Sequence, residues 1–513
     1  MNRDNVYATA TIREGELPAA EACGLDAKQL MQKAAQACFQ RLQQVCPAPA
    51  RILVLCGPGN NGGDAWFLAR YAQQAHYQVT VVAAEPKSQL AQQAAAAWRE
   101  SDGRSIDLAT SLAVNEFDWV IDGLLGNGVN REVSGHYHRW IQAVNESAVP
   151  VLSIDIPSGL DSDRGQPHGV AVRARDTVTL IAWKPGLLTG AAVDYVGQLT
   201  LADLDVGRAL EKQQVRLGHI LTDSVAEHIL RAYRSDLAVH SAKSSQQNVH
   251  KGTFGHLVIV GGGPGMAGAA ILAGQAALRA GVGKVSVLCH PDSRAIIAQA
   301  QPELMVETFA DGCHRLEQAS VIALGPGLGF STEKAWAHDT WQQVMTHGVQ
   351  RNVPLVLDAD ALNWLAQDEH RSHPLPSSTV LTPHPAEAGR LLGCSAAAIQ
   401  NDRVRAIQQL VENFSATVVL KGAGTLVAAP EQSMWFCRRG SSALATAGTG
   451  DVLTGIIATL LVGRASVNAA AAAVWLHARA GEIAALDGER GTIASDLLPV
   501  IRQLRNGRRD SND

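Results

Sequence analysis

The chain has 513 residues, 46% hydrophobic and 18% charged, with a formal net charge of −5 at pH 7. That length suits two or three domains with a sizeable core, and the charge leaves no basic footprint for nucleic acid. The eight cysteines lack CxxC spacing. With no HExxH or paired Cys/His set, they carry no zinc motif and fit a reduced, cytoplasmic setting.

In chain order, Met1–Gly15 is polar and lacks the apolar core of a signal peptide. Arg51–Cys56 is a predicted strand, and further strands are predicted at Val79–Ala84, Trp119–Asp122, Val149–Ile154 and Thr177–Trp183. Helical stretches such as Gly63–Gln74 and Gln89–Arg99 lie between several of them. This alternation predicts an α/β unit, a parallel sheet with helices on both faces. The first strand runs into Gly57-Pro58-Gly59-Asn60-Asn61-Gly62-Gly63-Asp64. Its glycines permit close approach to a ligand, and the helix start that follows favours an anion. Asp122 and Asp155 fall at later strand ends, where either alone reads as a turn cap. If the strands are adjacent and parallel, Asn61, Asp122 and Ser158 converge on one rim. Oxygen ligands of that kind suit a hard cation.

A domain boundary is expected near residue 220, with Arg231–Gly252, rich in Ser, Gln and His, as linker or surface loop. Neither half repeats the other in sequence. Leu257–Leu278 has no charge and is long enough to span a membrane, but Gly261–Gly265 and Pro264 divide it into a strand and a helix of the core. No transmembrane segment is predicted. Val321–Leu324 runs into Gly325-Pro326-Gly327-Leu328-Gly329, Val380–Thr382 into Pro383-His384-Pro385-Ala386-Glu387, and Ala416–Leu420 into Lys421-Gly422-Ala423-Gly424-Thr425. Each is expected to be a strand, a turn and a helix-like segment, and ligands bind at the carboxyl ends of such strands. Gly448-Thr449-Gly450-Asp451 precedes the apolar helix Val452–Leu461 and reads as an anion site. Asp451 is expected at the helix start, either as N-cap or as a group that handles a proton. Trp183, Trp364 and Trp475 are read as core. Arg502–Asp513 is read as a frayed terminus.

The motifs Asn60–Asp64, Asp122-Gly123 with Gly126-Asn127-Gly128, and Asp155-Ile156-Pro157-Ser158-Gly159 resemble those of the NAD(P)HX epimerase domain. Lys421–Thr425, Thr382–Glu387 and Gly448–Asp451 resemble those of the ADP-dependent NAD(P)HX dehydratase domain. In this order the pair is similar to the bifunctional NAD(P)H-hydrate repair enzymes, over nearly the whole chain. The resemblance implies a Rossmann-like three-layer αβα domain over 1–218, a ribokinase-like αβα domain over 224–507, and a polar tail over 508–513. It implies that NADHX and NADPHX are substrates, that the first domain interconverts their epimers, and that the second dehydrates the S form with ADP, releasing AMP and phosphate.

By the same resemblance, Asn61, Asp122 and Ser158 hold potassium. Asn60, Asn61, Gly62, Gly63, Asp64, Gly126, Asn127, Gly128, Val129, Asn130, Arg131, Glu132 and Tyr137 line the hydrate's pocket, with Asp155 close to the reacting ring. In the second domain Lys421, Gly422, Ala423, Gly424, Thr425 and Gly450 bind the nucleotide, with magnesium. Ala267, Gly327 and His384 lie near the hydrate, and Asp451 acts on its hydroxyl. A homo-oligomer is expected. The chemistry agrees: hydroxide is a poor leaving group and phosphate a good one, so dehydration gains from phosphorylating the hydroxyl first. Two other readings remain: a small-molecule kinase, which leaves the first half unexplained, and a first half that serves only as an interaction module.

Overall fold

A computed structural model describes residues 4–110, 113–235, 250–330, 335–367, 369–371 and 373–507. It divides into two units, Met1–His219 and Ile220–Asp513. Most of the expected linker (236–249) and the tail 508–513 lie outside the described residues. The helix Asp223–Ser235 covers the first part of that linker.

The first unit is built on a seven-stranded parallel sheet. Across the sheet run Ser105–Asp107, Gln78–Ala83, Arg51–Cys56, Trp119–Gly123, Val151–Ile154, Asp176–Leu180 and Gln198–Ala202. The order reverses between Arg51–Cys56 and Trp119–Gly123, which pair in register with Val54 opposite Ile121. This reversal is the switch point of a doubly wound sheet, and the crevice beyond its strand ends is where ligands bind in such folds. The strands are apolar on both faces. Ile52, Val54, Ile121 and Ile154 enter one core with the helix Asn60–Gln74, while Leu53, Leu55 and Val120 enter another with Trp140 and Ile141. Strands covered on both sides read as continuous apolar runs.

Two helices, Thr9–Ala22 and Ala27–Val45, precede the sheet. The first lies where the sequence reads merely as polar; its inward residues Ile12, Ala19 and Ala20 keep a helical spacing. The second opens with a capping box of Asp26 and Gln29. The predicted strand Thr177–Trp183 ends early, because the chain leaves the sheet at Ile181 with φ 69°.

In the second unit the sheet order repeats that logic. From one edge run Met305–Thr308, Lys284–Cys289, His256–Val260, Val321–Leu324, Leu355–Leu357, Val380–Leu381 and Thr417–Leu420, all parallel, then Thr425–Ala428 and Met434–Cys437, antiparallel. The switch point falls between His256–Val260 and Val321–Leu324. The apolar run Leu257–Leu278 divides into the strand His256–Val260 and the helix Ala267–Ala280, and no described helix is long and apolar enough to cross a membrane. The alanine-rich helices Ala267–Ala280 and Ser466–Ala484 and the aliphatic helix Thr449–Leu461 share a core with alternate strand residues Leu257, Ile259, Val321 and Ala323. Gly455 permits that packing, since a Cβ there would collide with the Ala273 carbonyl.

Two expectations are corrected. Lys421–Thr425 is not followed by a helix: Thr417–Leu420 turns straight back as Thr425–Ala428, so the segment is a β-hairpin turn. Arg502 to Arg505 are not frayed, because the helix Leu497–Arg505 buries Leu497, Leu498, Val500 and Ile501 on the core. Trp183, Trp364 and Trp475 are buried.

Candidate active sites

In the first unit, the Arg51–Cys56 strand passes through Gly57–Gly59 into the helix Asn60–Gln74. The turn is so tight that a Cβ on Gly62 would collide with the Gly57 carbonyl. A cavity of about 330 Å³ opens beside it, lined among others by Arg13, Glu16, Asn60, Asn61, Asp64 and Asp155. Gly126 and Asn127 also line it, and they continue with Gly128, Val129, Asn130, Arg131, Glu132 and Tyr137 into an adjoining groove that Gly62 borders too. Gly63 instead packs on the Met31 side chain and lines neither space.

Asp155 leaves the strand Val151–Ile154 with φ 64°, a sparsely populated conformation for a residue with a side chain. Its N–H donates to the Val178 carbonyl. Its Oδ1 accepts from Lys184 Nζ at 2.7 Å and from the Leu180 N–H at 3.0 Å. Lys184 is fully buried, and its ammonium also donates to Thr179 Oγ1 at 3.1 Å and the Leu180 carbonyl at 3.1 Å. Burial, then the charges of Asp155 and Glu16, hold the Asp64 carboxyl well above the usual carboxylate range. Lys184 and Glu16 are the functional candidates that the sequence reading missed. Lys184 follows a strand end, as the other candidates do, but no glycine motif marks it.

The strands Arg51–Cys56, Trp119–Gly123 and Val151–Ile154, which lead to Asn61, Asp122 and Ser158, are adjacent and parallel. Asp122 is fully buried and accepts from Ser158 N–H at 2.8 Å, Ser158 Oγ at 2.5 Å, Ser153 Oγ at 2.8 Å and Leu124 N–H at 3.3 Å. The Leu125 carbonyl accepts from Asn61 Nδ2 at 3.2 Å and lies 3.1 Å from the same Ser158 hydroxyl. Burial raises the Asp122 carboxyl, and hydrogen bonds alone oppose it. A buried carboxylate among hydroxyl and carbonyl oxygens, with no cationic side chain in the set, fits a hard cation.

In the second unit, Lys421 is the hub. Its Nζ lies 2.8 Å from Asp358 Oδ1 and 3.8 Å from Glu387 Oε2. Asp358, at the end of the Leu355–Leu357 strand, also accepts from Thr382 Oγ1 at 2.8 Å and Thr454 Oγ1 at 2.6 Å. Sequence reading missed Asp358, whose partner is 63 residues away. Ala359, next in the chain, has φ 49°. Burial pushes the Asp358 carboxyl up, but the charge of Lys421 together with the hydrogen bonds from Lys421, Thr454 and Thr382 holds it low; burial pushes Lys421 down, and Asp358 and Glu387 together hold it high. His384 is the N-cap of the helix Pro385–Leu392, its Nδ1 accepting from Ala386 and Glu387 N–H groups; its imidazole is held low by burial, then by Lys421. The hairpin turn Gly422–Thr425 is braced by Arg403, fully buried, whose guanidinium donates to the Leu420 and Lys421 carbonyls at 3.1 Å each, and by Thr425 Oγ1, which donates to the Gly422 carbonyl.

The helix Thr449–Leu461 starts at Gly448, φ 90°, so Gly448 is the N-cap and Asp451 lies in the first turn. The N-cap reading of Asp451 is thereby excluded. The Thr449 hydroxyl turns back to the Leu444 and Thr446 carbonyls, each at 2.9 Å. The N–H groups of Gly450 and Asp451 meet no acceptor among the described residues, and a Cβ on Gly450 would stand 3.6 Å from Lys421 Nζ. Burial lifts Asp451 to about 7, aided by Asp358 and opposed by Lys421. Burial also lifts Glu387 to about 7. Ala267 opens the helix Ala267–Ala280, beside the Gly325–Gly329 turn: a Cβ on Gly327 would collide with Met266. That helix packs against Thr449–Leu461; His384 and Asp451 both lie in the field of Lys421, beside Gly450, while Ala267 and Gly327 lie together at the neighbouring strand end. Asp358, Glu387 and Asp451 share a single lysine, and that excess of carboxylates suits a divalent cation.

Two family models match the chain: "YjeF-related protein N-terminus" over residues 27–186 and "NAD(P)H-hydrate dehydratase" over residues 257–503. The bifunctional NAD(P)H-hydrate repair enzyme of Escherichia coli K12 is 37% identical, covering 98% of this chain and 94% of that protein. The corresponding enzyme of Coxiella burnetii is 38% identical, covering 98% and 99%. Among solved structures, the ADP/ATP-dependent NAD(P)H-hydrate dehydratase of Bacillus subtilis is 27% identical over 57% of this chain and 99% of that one, with a TM-score of 0.47. With both halves matched and near full-length relatives above a third identity, the chain belongs to the family of bifunctional NAD(P)H-hydrate repair enzymes.

Proposed function

We propose that the chain restores hydrated NADH and NADPH in two steps at two sites. Residues 1–218 interconvert the R and S hydrates; residues 224–507 dehydrate the S form with ADP, yielding NAD(P)H, AMP and phosphate. The observation that carries the second step is Asp451: a carboxylate lifted to about 7, on a helix turn where the N–H groups of Gly450 and Asp451 meet no acceptor among the described residues, in the field of Lys421. Such a group takes a proton at neutral pH.

In that step the substrate hydroxyl attacks the β-phosphorus of ADP while Asp451 accepts its proton, and AMP leaves. Lys421 and the free N–H groups of Gly450 and Asp451 neutralise the phosphoryl oxygens. The hairpin turn Lys421–Thr425 orients the nucleotide. Phosphate then departs from that ester as its C–O bond breaks, pushed by the ring nitrogen, and loss of a proton from the neighbouring carbon restores the double bond. Magnesium, when bound through Glu387, would supply charge neutralisation to the phosphates.

In the first unit Asp155 moves the proton at the hydrated carbon, and Lys184 fixes its carboxylate. Asp64, whose carboxyl burial raises, lines the same cavity and contacts the substrate. Potassium, when bound by Asn61, Asp122 and Ser158, supplies the positive charge that this buried carboxylate lacks. The groove Gly126–Glu132 with Tyr137 takes the rest of the dinucleotide. We place this activity in a cytoplasmic homo-oligomer, with 508–513 as a polar tail. Incubating mixed hydrate epimers with ADP, with AMP, or without nucleotide, and following the dihydronicotinamide absorbance, tests the assignment. Full recovery with ADP alone is expected; recovery without a phosphoryl donor contradicts it.

A further inference from the structure

Away from the strand-end cluster, the second unit gathers three metal-ligating side chains that the repair reaction does not use. His338 lies near the start of the helix Ala335–Arg351, and Glu369 and His370 lie on the turn that follows the helix Asp360–Leu365. One ligand atom from each falls within 4.8 Å of the other two. Aromatic rings wall the cluster: His370 lies 4.5 Å from Trp341 and 5.5 Å from His338, and His338 lies 5.0 Å from Trp364, centroid to centroid.

His370 is 7% exposed. Its Nε2 is enclosed and has no hydrogen-bond partner, although Glu369 Oε1 stands 3.3 Å away, outside hydrogen-bonding alignment. A buried imidazole nitrogen without a partner costs stability unless something coordinates or bonds it. We infer that His338, Glu369 and His370 form a binding site for a divalent transition metal ion of the zinc class.

Two imidazoles and one carboxylate are a zinc, cobalt or nickel donor set; magnesium and calcium prefer oxygen alone. Tetrahedral ligands at zinc distances stand about 3.4 Å apart. Glu369 Oε1 already stands at that separation from His370 Nε2, and His338, partly exposed, closes the remaining distance by side-chain rotation. Water completes the shell. The ion ties the helix Ala335–Arg351 to the turn after Trp364. Trp364 Nε1 donates to the Gly329 carbonyl at 3.1 Å, and Asp360 accepts from the Gly329 N–H at 2.8 Å. The site therefore braces the Gly325–Gly329 turn without entering the chemistry.

The test uses the full chain without a histidine tag, stripped with EDTA and titrated with zinc chloride. One zinc per chain is expected, with a rise in the thermal midpoint, and cobalt in its place gives visible d–d bands. Glu369→Gln, at an exposed position, weakens zinc at least about tenfold, on the scale at which a lost supporting group weakens a metal site, and His338→Asn and His370→Gln weaken it further. Asp451→Asn, in the dehydration cluster, leaves zinc affinity unchanged. Absence of stoichiometric zinc, or zinc affinity unmoved by all three ligand substitutions, or lost in Asp451→Asn, overturns the inference.

Discussion

Asp451 concentrates the case at the residue scale. The motif Gly-Thr-Gly-Asp shows a carboxylate beside an anion loop, and two roles competed for it. The structure removes the N-cap role by giving it to Gly448. Asp451→Asn is expected to fold, to retain ADP and to lose dehydration by at least about a hundredfold, the scale of a lost general base; single-turnover assays check this. Asp451 acts deprotonated, so wild-type dehydration rises with pH up to about 7 and levels off above it. Stability runs the other way. A carboxyl whose folded pKa exceeds its unfolded value stabilises below the unfolded pKa, and that contribution is lost as pH rises through about 7. Asp451→Asn is therefore more heat-stable than wild type at pH 8, and the gap narrows at pH 5; calorimetry at the two pH values decides. Lys184, which the sequence did not flag, offers the parallel test. Lys184→Met leaves the buried Asp155 without its cation, costing about 3–5 kcal/mol by denaturant unfolding and slowing epimerisation about a hundredfold, while dehydration persists.

At the scale of elements, what was legible depended on sequence distance. The loops Gly57–Asp64, Gly325–Gly329 and Gly448–Asp451 announce themselves because glycine, turn and helix start are contiguous in the chain. Asp358 does not: its meaning comes from Lys421 and Thr454, which tertiary packing brings to it. Lys421–Thr425 was legible as a turn but not as a hairpin, because the strand after it is short and no pattern separates it from a helix start. The helix Thr9–Ala22 escaped because, of its apolar side chains, only Ile12, Ala19 and Ala20 turn into the core, in a run that opens polar. Helix packing carries its own prediction. The close crossing of Thr449–Leu461 on Ala267–Ala280 depends on Gly455, so Gly455→Ala forces the helices apart. A cost of about 1–3 kcal/mol is expected, with dehydration reduced because Asp451 rides on the displaced helix. Unchanged thermal stability and activity would remove Gly455 from the account.

At the scale of the whole molecule, the chain sets out two doubly wound sheets in series, each with its cluster at the carboxyl ends of strands flanking or near a switch point. The alternation of strand and helix made this architecture legible, although no sequence repeat links the halves. Each unit buries its own core, so fragments 1–218 and 224–513 should fold alone, the first epimerising without nucleotide and the second consuming one epimer. The central claim, one site for each step, has a more direct test in the intact chain. Purified R hydrate is given to Asp155→Asn, to Asp451→Asn and to their mixture, with ADP and on a timescale short against uncatalysed epimerisation. Neither variant alone is predicted to regenerate NAD(P)H, and the mixture is predicted to restore it, since one supplies S hydrate and the other dehydrates it. Regeneration by either variant alone at the wild-type rate, or a mixture that stays inactive, would contradict the account.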